Sequence, residues 1–119
     1  MTTASEIIAV RCLHSANGKP FAIEHRLINL ATVPEAKDAD FSVTPPGSWL
    51  LSQIAWSDGD HRIYALNPNS ADAKDLDITP DKACLAIERH TWRAGEPITF
   101  VRQIFPADLY EVNARFTPA

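Results

Sequence analysis

The chain has 119 residues, 45% hydrophobic and 22% charged, with a formal net charge of -4, a length that suits one domain built on one core. Its 11 basic residues are scattered along an acidic chain, which argues against a surface that neutralises many phosphates. No apolar run reaches membrane-spanning length and the first residues lack a signal-peptide pattern, so a cytoplasmic protein without a membrane partner is expected.

Ile7 to His14 is apolar and β-branched at its start and predicts a strand, ended by the turn chemistry of Ser15-Ala16-Asn17-Gly18. Its partner, Phe21 to Leu30, alternates: Phe21, Ile23, His25 and Leu27 share one face, and Ala22, Glu24, Arg26 and Ile28 the other. A three-residue bulged loop between these strands would set Glu24 across from Cys12 and near His14. Val33 to Asp40 suits one short helical turn, with Pro34 tolerated early. After the breaker cluster Thr44-Pro45-Pro46-Gly47-Ser48, the spacing of Trp49, Leu50, Gln53 and Ile54 predicts a short helix starting near Ser48, which serves as its cap.

Asp58-Gly59 reads as a turn before a strand from Asp60 to Leu66, and Ser70 as the cap of a helix over Ala71 to Leu76. Ala83 to Trp92 and Ile98 to Phe105 form a second hairpin, followed by a strand from Tyr110 to Phe116. Many strands with few short helices predict an α+β fold on a mainly antiparallel sheet. The two hairpins read as copies. Gly18 and Gly95, like Pro20 and Pro97, stand 77 positions apart, with apolar residues at matched places after each Gly-x-Pro corner. A duplicated scaffold that carries different polar residues in each copy suits one unsymmetrical site.

Period-two alternation puts Arg89 with Leu85, Ile87 and Thr91, and Arg102 with Ile98, Phe100 and Ile104, so both guanidiniums point the apolar way. A guanidinium cannot lose its charge, so each must meet an anion, supplied either by a protein carboxylate or by a ligand. Glu24 beside His14 can bind a nitrogen heterocycle, orient a general base, or satisfy a half-buried histidine. Cys12 and Cys84 read as buried thiols. The four histidines lack ligand spacing, and no Gly-rich phosphate loop or nucleophile elbow is present, so neither a metal nor a cofactor is expected. These residues offer a pocket more readily than a catalytic triad.

With those residues in place, the chain resembles the effector-binding (UTRA) domain of GntR-type bacterial regulators of the HutC subfamily, a domain similar in fold to chorismate lyase. The resemblance runs from about Ile8 to Phe116. It rests on His14 before Asn17-Gly18-x-Pro20, Glu24-x-Arg26 with Asn29, Thr44-Pro45 before Trp49, and Asp60-His61. Its most specific part is Cys84-Leu85, Arg89-x-Thr91-Trp92, Arg102 and the closing Ala114-Arg115-Phe116-Thr117-Pro118, similar to the histidine-utilisation branch, whose inducer is urocanate. The sugar-phosphate sensors of the family have an Arg-x-Arg pair where this chain has Cys12 and His14, which disfavours a phosphate ligand. Of the family's Asp-Arg-Tyr, only Asp108 and Tyr110 carry over.

The resemblance implies that residues 1–119 are a ligand-binding and dimerisation domain, N-terminally truncated and without the winged helix-turn-helix domain through which alone such regulators reach DNA. It implies a homodimer that is not an enzyme and whose effector is urocanate or a related small carboxylate. Arg89, Arg102 and Arg26 would hold the acid, His14 and Glu24 the ring, with Trp49 and Tyr110 as walls. The alternative is a small chorismate lyase-like enzyme acting on an aromatic or enoic acid, with Glu24 or His14 as general acid or base.

Overall fold

Two tight hairpins supply four of the five strands in a computed structural model that describes residues 6–118. The first joins β1 (Ile7–Ala16) to β2 (Lys19–Asn29); the second joins β4 (Cys84–Arg93) to β5 (Glu96–Pro106). Between them lie a 3₁₀ turn (Pro34–Asp38), α1 (Pro46–Gln53), β3 (Asp58–Leu66) and α2 (Ser70–Asp75). The sheet is antiparallel in the order β1-β2-β5-β4-β3, the expected α+β architecture. Among the described residues no helix is long and apolar enough to cross a membrane.

Both hairpins turn on two residues of positive φ, Asn17 (53°) and Gly18 (75°) in the first and Ala94 (49°) and Gly95 (81°) in the second, the signature of a tight type I′ turn. The loop is therefore two residues long rather than three, and the irregularity lies further on. Ser15 pairs with Pro20 but His14 with Ala22; Trp92 pairs with Pro97 but Thr91 with Thr99. Phe21 and Ile98 are the extra residues, each directly after a proline that cannot donate to the ladder. Cys12 still pairs with Glu24, the register expected from sequence. β2 meets β5 about the pair His25–Arg102, two residues that are themselves equivalent in the duplication, so a local two-fold axis passes between the hairpins.

The bulge at Ile98 corrects the assignment of Arg102. Ile98 packs with Ile28 and Leu50 on one face, whereas Phe100, Arg102 and Ile104 follow the alternation onto the other. Arg89 pairs with Val101, and Arg102 with Glu88, so the two arginines project from opposite faces. Both faces carry apolar clusters. Ile28, Val33, Ala36, Leu50 and Ile98 pack beneath α1, and Ile23, Leu76, Cys84 and Ile104 pack under α2.

Other boundaries differ for local reasons. α1 begins at Pro46, behind Pro45, because a proline in the first helical position is preset for the helix, so Ser48 is not its cap. Asn69, rather than Ser70, caps α2: its Oδ1 accepts from the Asp72 N–H at 2.8 Å. Asp58 and Gly59 extend β3 opposite Trp92 and Thr91 instead of turning. No strand forms over Tyr110 to Phe116, because β5 already has β2 and β4 on its two sides and the chain leaves it beside no free edge. Cys84 is buried and Cys12 half-buried, and burial pushes both thiols up from their ordinary range.

Ala94 is the one turn residue of the four that is neither Gly nor Asn, and the left-handed region costs such a residue roughly 1–2 kcal/mol. Ala94→Asn, which copies the first turn onto the second, should raise the unfolding free energy by about 0.5–1 kcal/mol, and Gly95→Ala should lower it by about 1 kcal/mol. Urea denaturation of the two variants checks both signs.

Candidate functional site

On the α1 face the sheet forms the floor of a cleft of about 670 Å³. β1 and β2 contribute His14, Glu24 and Arg26; β5 contributes Ile98, Thr99 and Gln103; β4 and β3 contribute Arg89, Thr91, Gly59 and His61. Pro45, Gly47, Ser48, Leu50, Leu51, Ile54 and Trp56 form its upper wall. The cleft therefore spans both hairpins.

Glu24 is the polar centre of the first end. Only 3% exposed, its carboxylate accepts from His14 Nε2 at 3.0 Å and Gln103 Nε2 at 3.2 Å through Oε1, and from Arg26 Nε at 2.7 Å through Oε2. Burial alone would raise its pKa, but the Arg26 charge and these three hydrogen bonds together hold it below the ordinary carboxylate range. Arg26, 8% exposed, spends a second nitrogen on Thr99, Nη1 donating to Oγ1 at 3.2 Å, while Thr99 donates to the Leu27 carbonyl at 2.7 Å. Gly47 brings α1 close to this pair: a Cβ there would stand 3.3 Å from Arg26 Nη2.

The second end is built differently. Arg89 donates from Nε to His61 Nε2 at 2.6 Å, and no carboxylate lies within ion-pair distance of it among the described residues. Arg26, Val101, Arg89 and His61 form one row across four neighbouring strands. With strands about 4.8 Å apart, the backbones of Arg26 and Arg89 are separated by roughly 10 Å. Since Glu24 and Arg26 cancel, Arg89 leaves the cleft with one uncompensated positive charge.

Of the residues expected from sequence, His14, Glu24, Arg26 and Arg89 meet here. Arg102 does not: on the opposite face its Nε donates to Glu88 Oε2 at 3.2 Å, beside the Tyr64 hydroxyl donating to the same oxygen at 2.5 Å. Trp49 packs edge-on against Phe41, centroids 5.6 Å apart, and is not among the residues lining the cleft. Tyr110 stacks on Phe105, centroids 4.0 Å apart, and is likewise not among them. Glu24 has both oxygens filled by protein donors, so it orients His14 rather than presenting a free carboxylate. Sequence reasoning missed Trp56, His61, Thr91, Thr99 and Gln103. Thr91 was recoverable, two positions beyond Arg89 on the same face, whereas His61 follows only from the β3–β4 register.

Removing Arg26 leaves a buried carboxylate short of its charge partner, so Arg26→Met should cost about 3–5 kcal/mol of stability. Because the folded pKa of Glu24 is depressed, its contribution is present above the ordinary carboxylate range and is lost as pH falls through and below it. Denaturation measured from pH 6 down to 3 should therefore show stability falling less steeply in Glu24→Gln than in the native chain.

The UTRA domain family matches residues 1–111. Two curated relatives, the histidine utilization repressors of Pseudomonas putida and Klebsiella aerogenes, are each 30% identical to the chain, over 88% and 87% of it and over 42% and 43% of their own length. The chain thus spans less than half of the curated relatives it matches. A crystal structure of the C-terminal domain of the histidine utilization repressor from Pseudomonas syringae pv. tomato superposes with a TM-score of 0.89 at 28% identity, over 99% of this chain and 84% of that one. With a family model matching residues 1–111 and relatives 30% identical over most of its length, the chain belongs to the UTRA domain family.

Proposed function

We propose that this domain senses a small carboxylate bearing a flat nitrogen ring, urocanate or a close relative, on behalf of a repressor of histidine-utilisation genes. The observation that carries the reading is Arg89, a guanidinium without a carboxylate partner among the described residues, facing a cleft whose other charges cancel. Its terminal nitrogens offer the planar fork that matches a carboxylate. At the other end His14 donates Nε2–H to Glu24, which leaves Nδ1 of the neutral ring to accept from a ligand N–H. Leu50, Ile54 and Trp56 line the space over a flat ring. The names of the relatives support the pathway; their DNA contacts and a homodimeric assembly belong to the proposal, with DNA reached through a separate winged helix-turn-helix domain.

The geometry disfavours the lyase-like alternative with Glu24 as general acid. A carboxylate held by three donors and shifted downwards is ionised at neutral pH and has no proton to give. Titration calorimetry with urocanate should show stoichiometric binding, weakened about tenfold or more in Arg89→Met, the loss expected from one charge-assisted contact. The ultraviolet absorbance of urocanate held with the protein for hours should stay constant. No binding at millimolar urocanate would sink the ligand assignment, and steady loss of absorbance would restore the enzyme reading.

A further inference from the structure

The cleft's second end contains a contact that the ligand reading above does not use. His61 on β3 and Arg89 on β4 are direct cross-strand partners, so the ladder itself holds their side chains together on the cleft face. Their hydrogen bond, 2.6 Å from Arg89 Nε to His61 Nε2, has only one possible polarity. A guanidinium nitrogen can only donate, so His61 Nε2 accepts, and the ring is the neutral tautomer with its proton on Nδ1.

That choice of nitrogen matters. Engaging Nε leaves Nη1 and Nη2 without partners among the described residues, and that pair of nitrogens can receive a carboxylate through two parallel bonds. Arg89 is otherwise exposed, and an unrestrained arginine would lose rotamer freedom on capturing a ligand. Fixing it beforehand removes part of that cost.

We infer that His61 is a positioning residue: by accepting from Arg89 Nε it presents the guanidinium edge to the ligand's carboxylate, so that acid binding requires a neutral His61. The effect on affinity rests on the ligand reading above; the tautomer and the hydrogen bond do not. Besides Arg89, the charged group that alternation places on this face of the flanking strand is Arg93, four residues further along β4 at its hairpin end. On β3, Asp58, Asp60 and Arg62 project to the opposite face, as do Glu88 and His90 on β4, and α1 has no charged residue. Across the floor the cleft also holds His14, Glu24 and Arg26. Protonating His61 would remove the acceptor and set a cation against Arg89.

Two readouts test this. Nitrogen-15 NMR of the ligand-free protein at pH 7.5 should show His61 with Nε2 unprotonated and Nδ1 protonated, and an Arg89 Nε–H resonance that is slow to exchange and becomes fast in His61→Ala. Calorimetry at pH 7.5 then uses urocanate and cinnamate, the second an acid with no imidazole of its own and ionised at that pH. His61→Ala should weaken both by about tenfold, the value of one hydrogen bond to a charged group. His61→Gln, whose amide oxygen also accepts, should bind within about threefold of the native protein. A protonated Nε2 at pH 7.5 overturns the inference. So does unchanged affinity in His61→Ala where Arg89→Met abolishes binding, a result that would leave the ligand reading intact. If neither acid binds the native protein, the ligand reading fails and the NMR result alone decides whether His61 positions Arg89.

Discussion

A carboxylate buried at the middle of a sheet must find donors or lose several kcal/mol, and Glu24 finds them on three strands. His14 comes from β1, Arg26 from β2 itself and Gln103 from β5. A slip of one residue in either pairing would carry Glu24 or its donors to the opposite face, so this one group fixes the register of the first hairpin and its docking on β5 together. The floor of the cleft inherits that rigidity. It also explains why Arg26, the most obvious anion receptor on the floor, contributes structure: two of its three nitrogens are already engaged with Glu24 and Thr99.

The duplication shows how one scaffold supplies both a closed and an open charge. Under the 77-residue offset, Cys12 corresponds to Arg89, His14 to Thr91, Glu24 to Val101 and Arg26 to Gln103. The first copy holds a cation, a carboxylate and an imidazole in one satisfied cluster. In the second copy the carboxylate position is Val101, directly beside Arg89 in the ladder, and a guanidinium appears where the first copy has a thiol. The turn geometry and the bulge are the same in both copies, so the difference lies wholly in side chains. Arg89 is left facing the cleft because its equivalent of Glu24 is apolar.

The parts of this arrangement that obey local rules were legible in the sequence. Two Gly-x-Pro corners announced two hairpins, and alternation put Glu24 and Arg26 on one face; the Cys12–Glu24 pairing was reached from a three-residue loop, and it holds because the extra residue sits at Phe21 instead. What failed was non-local or hinged on a single inserted residue. Ile98 looks like one more member of the alternating series that includes Arg102, yet the bulge sends it to the other face and so separates Arg102 from Arg89. The alternation of Tyr110 to Phe116 is as regular as that of β1, but a strand needs an edge, and the strand order offers none where the chain leaves β5. Trp49 and Leu50 are equally apolar neighbours on α1, and only the angle at which the helix meets the sheet decides that Leu50 lines the cleft while Trp49 packs on Phe41.

The opposite face makes the contrast sharper, because there Arg11 and Arg102 both meet carboxylates. Arg11 reaches Asp72 at 2.9 Å and Asp75 at 2.8 Å, His25 donates to Asp72 at 2.9 Å, and Arg102 joins Tyr64 on Glu88. Asp72 is buried, and Arg11 and His25 hold it below its ordinary range in spite of that burial. α2 therefore docks on this face through a carboxylate as well as through Leu76, and the cations around it answer a structural need. With the charges of one face paired around α2 and those of the first hairpin paired to hold the floor, Arg89 is the cleft-lining guanidinium without a carboxylate partner among the described residues. Arg89 and its neighbours on β3 and β4 can then vary while the networks that hold the sheet together remain untouched.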